Sequence, residues 1–205
     1  RVSVHCTGSL LEWLRQRAPR TFDLLGTVAA RGQVELLTGG FYEPILAVLP
    51  DHDKLGQIER LTAFLKTHFG VRPRGMWLAE RVWEPHLARV LSEAGVEYVL
   101  VDDHHFALAG HDADTLSGYY LTEEQGVSVA DFPISQRLRY LVPFGEPEES
   151  VRYLDERREA GAVTLFDDGE KFGVWPGTRR LVYDEGWLKR FFDAVTGAPT
   201  IQMST

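Results

Sequence analysis

Short apolar runs alternate along the first half of the chain with segments of helical periodicity. Four of the runs have the length and composition of buried strands: Val2 to Val4, Val34 to Thr38, Met76 to Ala79 and Tyr98 to Val101. The segments between them place apolar residues three or four positions apart, which predicts amphipathic helices ending near Gly70 and Gly95. Strands separated by helices predict parallel pairing with right-handed crossovers.

The rhythm changes between about Phe106 and Phe144, where the pattern predicts short strands or loops without a clear intervening helix. Regular alternation then resumes. It predicts these elements: a helix from Pro147 to Ala160, a strand from Val163 to Phe166, a helix from Glu185 to Val195 and a last strand from Pro199 to Met203. This makes six main strands, and the acidic residues repeated at strand ends favour an α/β barrel over a doubly wound sheet. A length of 205 residues fits a single domain covering residues 1–205.

Composition narrows the class of protein. With 44% hydrophobic and 25% charged residues, the sequence is typical of a globular chain, and no apolar run approaches the roughly 20 residues of a membrane span. A formal net charge of -8 argues against a nucleic-acid partner, because phosphate binding needs clustered lysine and arginine. The single cysteine, Cys6, excludes an internal disulfide and fits a reducing compartment, so we predict a cytoplasmic location.

Carboxylates follow two of the predicted strands. Glu80 comes directly after the third strand and beside Arg81, while Asp167 and Asp168 follow the strand that ends at Phe166. Because the carboxyl ends of parallel strands converge on one rim, such acids can face one substrate. A carboxylate beside a cation suits a nucleophile, and a second carboxyl nearby suits a general acid. The plainer alternatives are a first-turn helix acid at Glu80 and a solvated turn at the aspartates.

Two tryptophans close to these acids in sequence are candidate sugar contacts. Trp77 and Trp175 offer apolar indole faces, although most tryptophans are packing residues. Glu35 interrupts the apolar run from Val34 to Leu37, where a carboxylate is costly unless it has a partner or faces a polar cavity. A strand-edge acid facing water is the alternative for Glu35.

The end of the fourth predicted strand carries residues of metal-ligating type. Asp102, Asp103, His104 and His105 could ligate an ion, as in a metal-dependent carbohydrate esterase. However, adjacent histidines on an extended segment face opposite ways, and no His-x-x-x-His spacing occurs. We therefore predict no metal and no cofactor.

Three ordered segments carry a family resemblance: Gly32-Gln-Val-Glu-Leu-Leu-Thr-Gly-Gly-Phe-Tyr-Glu-Pro44, Met76-Trp-Leu-Ala-Glu-Arg-Val-Trp-Glu-Pro85 and Asp167-Asp-Gly-Glu-Lys-Phe-Gly173. They resemble the second, third and fourth sequence regions of glycoside hydrolase family 57. The resemblance is strongest to its 4-α-glucanotransferase and related α-amylase group, through Gly39-Gly-Phe-Tyr-Glu-Pro44, Val101-Asp-Asp-His-His-Phe106 and Phe172-Gly-Val-Trp-Pro-Gly-Thr178.

This resemblance implies an incomplete (β/α)7 TIM-like barrel that acts on α-glucans or malto-oligosaccharides by retaining double displacement. Glu80 is then the nucleophile and Asp168 the general acid/base. The implied substrate contacts are Glu35, Trp77, Glu170, Lys171 and Trp175. Oligomeric state is open, with a homodimer as the candidate.

Residues 1–205 contain neither the family's first region, a His-Gln-Pro strand, nor its fifth region, which supplies a further aspartate. We therefore expect an internal fragment of the catalytic domain that is inactive by itself. Three alternatives to glucan transfer stay open: hydrolysis through the same covalent intermediate, a metal-dependent carbohydrate esterase, and a non-catalytic glucan-binding module.

Overall fold

The computed structural model describes the backbone of residues 1–205 and the side chains of residues 1–159 and 161–205. The strands are β1 (Val2–His5), β2 (Val34–Leu37), β3 (Gly75–Trp77), β4 (Tyr98–Asp102), β5 (Tyr120–Glu124) and β6 (Val127–Ile134). The α-helices are α1 (Gly8–Arg17), α2 (Pro19–Ala30), α3 (Asp51–Phe69), α4 (Leu87–Glu93), α5 (Asp103–Leu108), α6 (Gln136–Leu141), α7 (Pro147–Glu156) and α8 (Trp187–Gly197). None of the described helices combines the length and the apolar character needed to cross a bilayer.

Contacts between residues divide the chain into two compact units. The first contains Arg1–Val101, Tyr119–Phe132 and Ser204–Thr205, and the second contains Asp102–Gly118 and Pro133–Met203. The single domain expected over residues 1–205 stays a prediction.

Parallel pairing organises the first unit, as the alternating pattern predicted. Strand β1 pairs with β2 from Val2 opposite Val34 to His5 opposite Leu37, and β3 pairs with β4 in the same parallel sense. A single bridge between Thr38 and Met76 continues the pairing from β2 to β3. Beyond β4 the sheet is extended by the antiparallel hairpin of β6 and β5, within the segment predicted to form short strands or loops.

The two faces of this sheet differ in chemistry. Leu36 faces the helices and belongs to a core cluster with Leu11, Phe22, Phe41, Leu61 and Leu65. Because side chains alternate along a strand, Glu35 and Leu37 point to the opposite face. Residues that pair in register across parallel strands share a face, so Trp77 and Tyr98 lie on that second face as well. The second face is therefore the one that carries candidate functional residues.

Helices dominate the second unit. Its core cluster consists of Val142, Trp187, Phe191 and Val195, and the Trp187 indole donates a hydrogen bond to the Gly145 carbonyl at 2.7 Å. Trp187 and Phe191 are stacked, with ring centroids 5.0 Å apart. Helix α8 thus contributes one apolar stripe, the periodicity from which it was predicted.

Two predicted strands of the second unit are wrong. From Val163 to Phe166 the chain makes only an isolated bridge, between Thr164 and Ile134. The segment Pro199 to Met203 forms no strand. Its apolar residues Ile201 and Met203 are partly buried by packing against the Trp187 cluster instead. In both places the apolar pattern is satisfied by packing rather than by a ladder of hydrogen bonds.

Candidate functional site

The backbone at the end of β3 holds Glu80 in an unusual conformation. Glu80 and Arg81 have φ angles of 55° and 57°, the left-handed region that side-chain-bearing residues avoid. Each such residue costs on the order of 1–3 kcal/mol and persists only where surrounding structure imposes it. Glu80 is exposed. The turn therefore directs a carboxylate outward from the carboxyl end of a buried strand.

Trp77, three residues earlier, is fixed on several sides. Its indole Nε1 donates a hydrogen bond to Glu43 Oε1 at 3.0 Å, and Glu43 is itself left-handed, with φ of 55°. The Arg81 guanidinium lies 5.6 Å from the indole ring centroid, within cation–π range. The His5 ring lies on another side, with centroids 6.5 Å apart. Trp77 is thus a buried anchor of the Glu80 turn.

His5 is a residue of this region that sequence reasoning missed. Burial lowers the pKa of His5 to about 4, so its ring is neutral at pH 7. Its buried Nε2 has no hydrogen-bond partner within the described part of the chain. A side chain at Gly39 would place its Cβ 2.5 Å from this nitrogen, which explains the glycine there. The available signal was a polar residue ending a strand otherwise made of valine and serine.

Glu35 has a protein partner on the same sheet face, nearer the amino ends of the strands. Its Oε1 accepts a hydrogen bond from the Tyr98 hydroxyl at 2.8 Å, and burial together with this bond raises the pKa of Tyr98. The pairing of Thr38 with Met76 puts Gly39 opposite Trp77. Glu35 is four residues before Gly39, about 13 Å away towards the amino end of the strand. The structure brings Glu35 to Tyr98 rather than to Trp77, and its contact with a sugar stays a prediction.

In the second unit, Asp167 is the centre of a buried ion network. Its carboxylate accepts a short hydrogen bond from Lys171 Nζ and lies 3.5 Å from Arg139 Nε. The two side chains of the Asp167–Lys171 pair are 3% and 6% exposed. Arg139 continues the network to Asp102, with Nη1 3.1 Å from Oδ1. Asp167 is consequently committed to structural contacts.

The Lys171 ammonium has three protein acceptors, one for each of its N–H donors. Besides Asp167, it donates to the Arg139 carbonyl at 2.5 Å and lies 3.5 Å from the Val142 carbonyl. An ammonium has three donors, and these three acceptors within the described chain account for them. The geometry favours a supporting role, and direct contact between Lys171 and a sugar stays a prediction.

Asp168 and its neighbours remain nearer to solvent. Asp168 is partly exposed, and its backbone N–H donates to Asp167 Oδ1 at 2.9 Å. Glu170 is exposed, and Trp175 is 41% exposed with its ring stacked on Phe144. The structure therefore brings Asp168, Glu170 and Trp175 into one loop around the buried Lys171. Glu80 and Asp168 belong to different compact units, and their meeting stays a prediction.

The acidic segment weighed as a metal site is engaged in other contacts. Asp102 pairs with Arg139, and Asp103 Oδ2 accepts a hydrogen bond from the Gln136 backbone N–H at 2.9 Å. Among the residues whose side chains are described, no group of three or more His, Cys, Asp or Glu is placed to hold an ion. The carboxylates instead begin α5 and tie it to α6.

Residues 1–205 match Glycosyl hydrolase family 57, and the chain belongs to this family. It is 53% identical over 197 residues to alpha-amylase 1 of Dictyoglomus thermophilum and 46% identical over 206 residues to 4-alpha-glucanotransferase of Thermococcus kodakarensis. The crystal structure of 4-alpha-glucanotransferase from Thermococcus litoralis has the same fold, with a TM-score of 0.94 at 45% sequence identity.

These relatives are much longer than the chain. The three matches cover 95%, 99% and 100% of this chain but only 29%, 31% and 32% of the respective relatives. The chain thus spans about a third of their length. The expectation that it is a fragment is confirmed.

Proposed function

We propose that the protein to which this chain belongs is a retaining 4-α-glucanotransferase acting on α-1,4-glucans. The observation that carries the proposal is the left-handed turn that presents Glu80 after the buried strand β3 and the anchored Trp77. Strain of this kind concentrates at functional sites. Membership of the glycosyl hydrolase family supplies the reaction class, and the relatives named 4-alpha-glucanotransferase supply the substrate.

In the first step, the Glu80 carboxylate attacks the anomeric carbon while Asp168 donates a proton to the departing glycosidic oxygen. The product is a covalent glycosyl ester on Glu80 and a shortened glucan. Such a pair of carboxyl groups stands about 5–5.5 Å apart in retaining enzymes.

In the second step, Asp168 removes a proton from the 4-hydroxyl of an acceptor glucan, which attacks the anomeric carbon and releases Glu80. The choice of Asp168 over Asp167 is supported by their surroundings. The Asp167 side chain is only 3% exposed and pairs with Lys171 and Arg139, so proton exchange at Asp167 would break an ion network.

The test is Glu80→Gln in the full-length protein. The amide keeps the shape of the side chain but cannot form the ester, so we expect turnover of maltotriose to fall by at least about a thousandfold. A fluorinated glucosyl donor should label the parent but not the variant, as read by intact-protein mass. Glu84→Gln is the matched control, since Glu84 is also exposed in the same segment and should retain activity. Near-normal turnover by the Glu80 variant would refute the assignment.

Hydrolysis is a second candidate, favoured by the 53% identity to a relative named alpha-amylase 1. The two reactions share the covalent intermediate and differ in whether water or a sugar hydroxyl reaches it. Incubating the full-length protein with maltotriose separates them. Transfer yields glucose together with longer oligosaccharides, while hydrolysis yields a steady accumulation of shorter products.

We further propose that the chain contributes to an incomplete (β/α)7 barrel, consistent with its four parallel strands. The cytoplasmic location and the homodimer expected from the sequence stay predictions. Counting protomers by analytical ultracentrifugation of the full-length protein tests the latter directly.

A further inference from the structure

Two large aromatic side chains of the second unit are held together in solvent. Phe144 is 51% exposed and Trp175 is 41% exposed, yet their rings are stacked on one another. Leaving so much apolar ring area in water forgoes the free energy that burial would provide. An ordered, exposed aromatic pair is therefore a feature that calls for a ligand.

The geometry of the pair leaves both rings available. The centroids of Phe144 and Trp175 are 6.3 Å apart and the ring planes are inclined by only 20°. At this separation the rings are offset rather than face to face. The ring planes are therefore nearly parallel, and the offset leaves part of each ring uncovered by the other.

Lys171 fixes the pair from its buried side. Its ammonium lies 5.5 Å from the Phe144 ring centroid and 5.7 Å from the Trp175 ring centroid, so one cation contacts both rings. The same ammonium is held by Asp167 and by the Arg139 carbonyl. A network of charges thereby sets the position of two apolar rings.

The backbone around Trp175 adds to this rigidity. The Trp175 N–H donates to the Glu170 carbonyl at 3.0 Å, and the Trp175 carbonyl accepts a hydrogen bond from the Thr178 hydroxyl at 2.8 Å. Trp175 is therefore tied at both backbone groups to the loop that begins at Asp168. A ligand resting on the rings would be held at a defined position in that loop.

The chemistry of the pair fits an uncharged ligand with a flat apolar face. The positive charge of Lys171 is balanced by its ion pair with Asp167, so the rings carry no strong preference for anions or cations. The C–H faces of a glucosyl ring are uncharged and pack on aromatic faces, while its hydroxyls stay in contact with water. Continuity with the Asp168 loop favours a sugar that belongs to the reacting chain.

We propose that Phe144 and Trp175 form one stacking platform for a glucosyl unit of the α-glucan, with Lys171 as the residue that positions it. Phe144 lies far from the three family-like motifs in sequence and enters the site only through its contact with Trp175. This inference rests on the proposed function and adds a contact residue to it.

The experiment measures binding without turnover, in the full-length protein carrying Glu80→Gln. Maltoheptaose is titrated by calorimetry into this parent and into parents that also carry Phe144→Ala or Trp175→Ala. Each change should weaken binding about tenfold, the effect of losing some tens of Å² of apolar contact. Phe144→Trp should retain the affinity. Trp13→Ala is the matched control, because Trp13 is similarly exposed, at 56%, on helix α1 and should leave binding unchanged.

Three outcomes overturn the platform. Binding by the parent with no loss on Phe144→Ala refutes it while the proposed function stands, and Phe144→Leu guards against a folding defect because it keeps apolar bulk without the ring. A parent that binds no malto-oligosaccharide removes both proposals. Oxidation of Trp175 by N-bromosuccinimide, located by peptide mass, should occur in the free protein and be blocked by maltoheptaose. Absence of oxidation in the free protein would mean that the rings are already covered.

Discussion

The turns that carry Glu80 and Asp168 are held by opposite means. The Glu80 turn follows a paired parallel strand and keeps its shape through two left-handed residues, at a cost in backbone energy. The Asp168 turn follows a segment with only an isolated bridge and is held by a buried ion network through Asp167 and Lys171. One turn is thus held at a cost in backbone strain and the other by charge pairing. Substitutions in the two turns should therefore change stability differently.

The largest expected effect is at Lys171. Lys171→Met leaves Asp167 buried without its closest cation, which should lower the free energy of unfolding by about 3–5 kcal/mol. Urea denaturation of the full-length protein, together with hydrogen exchange of the peptide around Asp168, measures this. Lys189→Met is the matched control, because Lys189 pairs with Asp193 at the same spacing but in solvent, and should change the free energy by less than about 1 kcal/mol.

The double variant Lys171→Met, Asp167→Leu sharpens the same comparison. Removing both charges should recover much of the lost stability, since a buried ion pair can be replaced by apolar residues of similar volume. If the single and double variants are equally unstable, the lysine stabilises the loop by packing rather than by charge.

Close packing in the first unit gives the next effect. A Cβ at Gly75 would lie 2.1 Å from the Tyr98 ring, so Gly75→Ala must displace the tyrosine that bonds Glu35. We expect a loss of about 1–3 kcal/mol in the free energy of unfolding. Gly56→Ala, on the exposed side of α3 where no atom lies within 4 Å, should instead be neutral or stabilising. Equal behaviour of the two alanine variants would contradict the packing argument.

Acid should weaken the first unit through His5. Its pKa is lowered to about 4 by burial, whereas an unfolded histidine titrates near 6.5, so the unfolded chain binds a proton first as the pH falls. The contribution of neutral His5 to the free energy of unfolding is fully present above about pH 6.5 and is lost progressively towards pH 4. Lowering the pH from 7 to 5 should reduce the free energy of unfolding by about 2 kcal/mol. His5→Phe should abolish this component of the urea-midpoint shift. His52→Phe, at an exposed site, should leave it intact.

The sequence predicted the first unit better than the second, for a physical reason. The strands beginning at Val2, Val34 and Tyr98 were located within one or two residues, because short runs rich in apolar and β-branched residues, bounded by polar or glycine residues, are typical of strands. The run from Val163 to Phe166 looks the same in sequence, yet a strand exists only where a neighbour pairs with it, and local pattern does not reveal neighbours.

The residues of the candidate site likewise fall into those that the sequence predicted and those that only the fold reveals. Motifs point to Glu80, Asp168 and Trp175 because chemistry restricts those residue types. Phe144 and Arg139 are brought to the Asp168 loop only by folding, and no local spacing relates them to it. His5 had a weak signal, a polar residue at a strand end, but its burial against Trp77 depends on the register between strands.

The smallest expected effect, and one of opposite sign, is at Glu80 itself. Glu80→Gly relieves the left-handed strain, so the free energy of unfolding should rise by up to about 1 kcal/mol while maltotriose turnover is lost. Glu80→Ala separates the causes, since it removes the carboxylate but keeps a Cβ in the strained conformation and should not stabilise the protein. Gln125→Gly, at a φ of 53° in the hairpin between β5 and β6, is the matched control and should stabilise without loss of turnover. If Glu80→Gly is no more stable than Glu80→Ala, the Glu80 turn imposes no strain, and the proposed contrast between the Glu80 turn and the Asp168 turn is wrong.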